Sequence, residues 1–194
     1  MADPANECFA LRREDGSLTG EIKPRALVHR DGDLHGASHV FLARLQNGTA
    51  ELLLQKRSAQ KDSFPGLYDI SAAGHLDPGE DFAEAACREL AEELGVTGVT
   101  PEFLFAQRNE YHGAFHGKPF HDNEIAWVYL LVLDRPEAAF TPEACEVESV
   151  HWFPVRDILR AMQENDPRFC LREAEFRRLL PYVAQKFGLP VDKL

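Results

Sequence analysis

Three glutamates, Glu89, Glu92 and Glu93, fall within a single turn's length of chain, directly after Arg88. At about 100° per residue they share one side of a helix, while Ala83, Ala86, Cys87, Leu90 and Leu94 fall largely on the other. Like charges three and four residues apart repel. The plain outcome is a solvated acidic face. The chemical outcome is a hard divalent cation, because Mg2+ prefers carboxylate, carbonyl and water oxygens. A helix of this kind packs with one face and presents three carboxylates with the other.

The surrounding residues predict that helix. Pro78-Gly79 marks a turn, and Asp81 with Glu84 three residues on forms a capping-box pattern. The helix then covers residues 82–94, with Gly95 where a C′ glycine belongs. The whole stretch 74–96, GHLDPGEDFAEAACRELAEELGV, satisfies GX5EX7REUXEEXGU, with U apolar and X any residue. Gly74, Glu80, Arg88, Glu89, Glu92, Glu93 and Gly95 are the fixed positions, and Leu90 and Val96 the apolar ones. At background usages of roughly 5–7% per letter, a chance match at a given start is below about one in 10^8.

This is the Nudix box, and the chain resembles Nudix hydrolases over roughly residues 27–155. The resemblance implies an α/β fold, an α/β/α sandwich around a mixed sheet. It implies hydrolysis of a diphosphate linkage in a nucleoside diphosphate derivative or another small organic diphosphate, by water activated on Mg2+, with Mn2+ as the alternative. By motif position, Glu89 and Glu93 are the leading metal ligands, followed by Glu92 and the Gly74 carbonyl. Glu80 supports the cluster, and Arg88 orients the glutamates by ion pairing. The general base varies across the family; Glu92, Glu93 or a carboxylate outside the box all stay open.

The flanks resemble isopentenyl diphosphate isomerase, which shares the fold. His29 and His35 stand close to two metal-binding histidines of that enzyme. Arg57 and Lys61 match its diphosphate-contacting cations ahead of Phe64-Pro65-Gly66, and His75 its histidine after the box glycine. Asp122-Asn123-Glu124-Ile125 is similar to its Glu-His-Glu-Ile segment. Carried to a hydrolase, these make Glu124 a further metal ligand and Arg57, Lys61, His75 and Asp122 substrate contacts. The bland readings are surface cations, an edge-of-strand acid and ordinary histidines. Two departures speak against isomerisation. Ala73 stands where the isomerase has a cysteine, and alanine transfers no proton. The isomerase box is eroded, whereas this one is complete. A hydrolase is therefore expected, with the isomerase and a non-catalytic nucleotide-binding module as alternatives.

At 194 residues the chain fits a single domain, with an N-terminal hairpin over 7–24 and a helical extension over 155–194. Its 44% hydrophobic content and 13 Phe suffice for a sizeable core. A net charge of −11 argues against nucleic acid and anionic membranes as partners. A small anionic diphosphate remains compatible, since a bound cation inverts the local field. The family resemblance adds a homodimer as one assembly. Cys8, Cys87, Cys145 and Cys170 are scattered without zinc spacing, and no signal peptide or membrane-length apolar run is present, so a reduced, cytoplasmic protein is expected.

The remaining pattern predicts a short helical turn at 25–29 and strands at 38–45, 51–57, 67–70, 103–107, 124–133 and 150–153. Helices follow Pro154 to about residue 163 and cover 170–187, the latter kinked or restarted at Pro181. Residues 1–6 read as loose, and 109–121 as an irregular, aromatic, histidine-rich loop that helps select the substrate.

Overall fold

A computed structural model describes residues 7–194; the loose terminus expected over 1–6 lies outside them. A hairpin of β1 (Cys8–Arg12) and β2 (Leu18–Pro24) precedes α1 (Arg25–Asp31). Then come β3 (His35–Gln46), β4 (Thr49–Arg57), β5 (Tyr68–Asp69), β6 (Ala72–His75) and α2 (Phe82–Leu94). After these follow β7 (Glu102–Phe115), β8 (Lys118–Val132), β9 (Val147–Pro154), α3 (Val155–Gln163) and α4 (Glu173–Phe187). Among the described residues, no helix is long and apolar enough to cross a membrane.

Seven strands form one mixed sheet in the order β5-β4-β3-β8-β7, with β6 also on β3 and β9 also on β4. The β3–β8 pair is parallel, and the other pairs are antiparallel. The sheet is buried on both faces, which is why β3 and β4 read as apolar runs rather than alternations. Val40, Leu42 and Leu53 face α2, packing with Ala86, Leu90 and Leu94. Phe41, Ala43, Leu52 and Leu54 face the other way, against Ile158 of α3 and Phe176, Leu179 and Val183 of α4. The architecture is the expected α/β/α sandwich around a mixed sheet.

Several local expectations change. Ala83 is exposed, and Phe82 and Ala85 fill the packing face of α2 instead. α4 starts at Glu173 because residues 168–170 run beside β5, where Tyr68 N donates to Arg168 O at 2.7 Å and Cys170 N to Tyr68 O at 3.0 Å. It also continues through Pro181, whose ring lies on the exposed side.

The largest difference is at 109–121, which is not a loop. These residues form the distal half of a long β7–β8 hairpin, paired from Asn109↔Glu124 out to Phe115↔Lys118. His116 and Gly117 turn it with φ of 51° and 74°, the two positive values that a tight hairpin turn of matching twist requires. Contacts among Phe64, Tyr111, Phe115 and Phe120 hold it. Cross-strand aromatic pairs of this kind stabilise a hairpin that local propensity leaves undecided.

Candidate active site

The box helix is fixed at both ends. Asp81 accepts from Ala83 N at 2.8 Å and Glu84 N at 2.9 Å, while Glu84 Oε2 accepts from Asp81 N at 3.0 Å. Gly95 closes the other end at φ 66°. The C-terminal part of α2 thereby presents Glu89, Glu92 and Glu93 to a cavity of about 450 Å3.

Within it, Arg88 makes a fork with Glu80, Nε to Oε1 at 2.8 Å and Nη2 to Oε2 at 2.9 Å. The same guanidinium donates to Glu89 at 2.6 Å, Glu92 at 3.2 Å and the His75 carbonyl at 2.9 Å. One planar, permanently charged group thus ties β6, the turn before α2 and two box glutamates together.

The glutamate face is largely buried, not the solvated acidic face of the plain reading. Glu92 is exposed, but Glu89 is 8% and Glu93 2% exposed. Both are covered because β6 passes directly over them. A Cβ on Gly74 would run into the Glu89 carboxylate, so only glycine permits the approach. Glu93 Oε2 accepts from Ala73 N at 2.9 Å and from Gln55 Nε2 at 2.8 Å. Burial pushes both carboxyls above their ordinary range. For Glu89 the neighbouring Glu93 charge adds to the rise, against Arg88; for Glu93, Lys61 and the Ala73 N–H oppose it.

Glu124 and Asp122, both on β8, join the same cavity, buried at 2% and 6% exposed. Burial alone would raise Glu124, yet Arg172 and His39 hold it well below the usual carboxylate range. Arg172 reaches Glu124 at 3.1 Å and Asp122 at 2.6 Å. His39 stands between Glu124 at 3.2 Å and Glu175 at 2.9 Å, and Asn109 donates to Glu124 at 3.0 Å. His39, Asn109, Arg172 and Glu175 were not read from the sequence. Only His39 carried a signal, as a polar residue inside the apolar run of β3.

Arg57 and Lys61 line the cavity, each held by an acid. Arg57 donates to Asp69 at 3.1 Å and to the Ser63 carbonyl at 3.0 and 3.1 Å, and Lys61 pairs with Glu146. Arg25 lies on the same wall with Asp62 at 2.9 Å. Phe64, with φ of 48°, aims its ring at Tyr111.

His29, His35, His75 and Asp122 form a second cluster, with one ligand atom from each within 4.8 Å of the others. Phe9 of the hairpin covers it, 5.0 Å from the His35 ring and 4.4 Å from the His75 ring. Burial lowers His29 to about 3, assisted by Arg25, and pushes His75 well below its ordinary value. His29 Nε2, His35 Nε2 and Asp122 Oδ1 are buried without a hydrogen-bond partner.

The NUDIX domain family matches residues 35–173. Nudix hydrolase 3 of Arabidopsis thaliana is 37% identical over 190 residues, covering 94% of this chain but only 24% of the plant protein's length. The isopentenyl-diphosphate Delta-isomerase of Ruegeria pomeroyi is 34% identical over 142 residues, 73% of this chain and 74% of that protein. A crystal structure from Deinococcus radiodurans shares the fold with a TM-score of 0.64 at 21% identity, over 81% of this chain and 90% of that one. With the box in place on α2 and the matched region spanning most of the chain, the protein belongs to the Nudix family.

Proposed function

We propose that the protein is a divalent-metal-dependent hydrolase that cleaves a diphosphate linkage in a nucleoside diphosphate derivative or another small organic diphosphate. The observation that carries this reading is the pair Glu89 and Glu93, buried side by side under β6. Two carboxylates removed from water need a cation or a proton between them. The donor set is all oxygen, which suits Mg2+, or Mn2+ in its place.

Glu89, Glu93, Glu92 and the Gly74 carbonyl would hold the ion, with Glu124 on the other cavity wall. When bound, it supplies Lewis-acid stabilisation of charge on the phosphoryl oxygens and activates water. The chain's own residues do the rest. Arg88 fixes the glutamates through its fork to Glu80. Arg57 and Lys61 offer a guanidinium fork and an ammonium to the diphosphate, exchanging their present acid partners for it. Asp122 and His75 flank the substrate, and Glu92, Glu93 or a carboxylate outside the box takes the proton from the attacking water. The orphaned atoms of the histidine cluster fit a second cation, one of nitrogen-accepting character.

That cluster and the isomerase relative favour a second reading, isomerisation of a prenyl diphosphate. Against it, Ala73 lines the cavity where the isomerase carries its cysteine. The deciding experiment incubates a panel of diphosphates with Mg2+ and scores both phosphate or monophosphate release and isopentenyl-to-dimethylallyl conversion, in wild type and Glu93→Gln. Release that vanishes in the variant is expected. Isomer conversion without release would replace hydrolysis by isomerisation, and silence in both assays would leave a binding module.

A further inference from the structure

The outward face of the β7–β8 hairpin carries a second constellation that the diphosphate chemistry does not use. His112 and His121 are directly paired across the two strands, and their rings lie 3.6 Å apart. Glu110, two residues before His112, projects from the same face. Its Oε1 lies 3.1 Å from His112 Nε2 and 3.0 Å from His121 Nε2.

We propose that Glu110, His112 and His121 form a surface site for a transition-metal cation of the zinc class. The three ligand atoms already converge. Tetrahedral zinc with bonds of about 2.0–2.2 Å separates neighbouring ligand atoms by about 3.3 Å, so a few tenths of an ångström of opening admits the ion. Two imidazoles and one carboxylate favour Zn2+, Cu2+ or Ni2+ over Mg2+. The fourth position faces water, since His112 is 66% and Glu110 49% exposed.

The site is also preorganised. Gly32, the left-handed cap of α1, lies against the His121 ring so closely that a Cβ there would overlap the imidazole. Two residues on, Asn123 donates to the Gly32 carbonyl at 2.9 Å. The rung is therefore fastened to α1, and less side-chain entropy is lost on binding.

Strand alternation gives the site a consequence. Tyr111, Phe120 and Asp122 point from the neighbouring rungs into the cavity. A cation outside would clamp the very wall that meets the substrate inside. The alternative is a histidine pair sharing one carboxylate with no affinity for metal.

Zn2+ titration of the full chain in saturating Mg2+, followed by NMR of the imidazole signals and by calorimetric stoichiometry, separates the two. The site predicts that Zn2+ shifts the His112 and His121 rings together, and that His112→Gln/His121→Gln binds one equivalent less while keeping its Mg2+-dependent activity. Glu110→Gln should weaken this Zn2+ by about 10-fold or more, on the scale of losing a supporting group at a metal centre. Equal stoichiometry in wild type and double variant, or ring shifts confined to His29, His35 and His75, would overturn the proposal. Neither outcome depends on which diphosphate is cleaved, or on whether any is.

Discussion

His39 Nε2 lies 3.2 Å from Glu124 Oε1, with both side chains buried, and its Nδ1 side meets Glu175 at 2.9 Å. Burial opposes charge on this imidazole, but Glu175 and Glu124 outweigh it and raise His39 to about 10. The ring is thus a buried cation between two acids, and it fixes where Glu124 stands. Replacement by leucine leaves those acids with Arg172 and the Asn109 and Gln107 amides but without the imidazolium between them, and removing one partner of a buried ionic group costs about 3–5 kcal/mol. Denaturant unfolding should show that loss below pH 6.5, where the His39 contribution is fully present, and show it shrinking as pH rises toward about 10. Equal stability of wild type and His39→Leu in the acid range would exclude the ion-pair role.

Glu93 is favoured in its neutral form, where His39 is favoured in its charged one, yet both lose stability as pH rises. Its folded-state carboxyl sits above the ordinary 4.5 because it is buried. Its protonated form is the one the metal-free fold tolerates, so its contribution to stability is lost as pH rises from about 4.5 through the raised value. Glu93→Gln keeps the shape and removes the charge. Without Mg2+ the variant should be the more stable protein, by a margin that grows with pH; with saturating Mg2+ the ranking should reverse. Thermal unfolding of both proteins across pH, with and without the ion, checks the sign.

Gly74→Ala tests the close passage of β6 over α2. The added Cβ meets the Glu89 carboxylate, so either the strand lifts or the glutamate rotates. Overpacking of a tight site costs typically about 1–3 kcal/mol. We expect a modest stability loss together with weakened Mg2+ affinity. Unchanged Mg2+ affinity by calorimetry would place the ion away from Glu89.

Arg57→Lys keeps the charge and removes the fork. A lost charge-assisted hydrogen bond is worth about 1.5–3 kcal/mol, which corresponds to a rise in KM of roughly ten- to hundredfold for the diphosphate substrate. Steady-state kinetics should place most of the effect in KM. An unaltered KM would leave Arg57 as a structural partner of Asp69 and Ser63 only.

What the sequence determined by itself is what short-range physics governs. The limits of α2 follow from a cap, a capping box and a C′ glycine, all within three residues of the helix they close, and the box spacing named the family. Most strands of the two-faced sheet were visible as apolar runs with shifted ends, but β6 (Ala72–His75), four small or polar residues without an apolar run, was not read as a strand. The tertiary structure decided everything that depends on distant residues meeting. Glu89 and Glu93 became buried acids because β6, with Gly74, crosses over them. His39 met Glu175 across 136 residues of chain, and no local pattern carries such a pairing. Residues 109–121 became a hairpin because Phe64, distant in sequence, packs on Tyr111 and Phe115, and Phe115 in turn meets Phe120 across the turn.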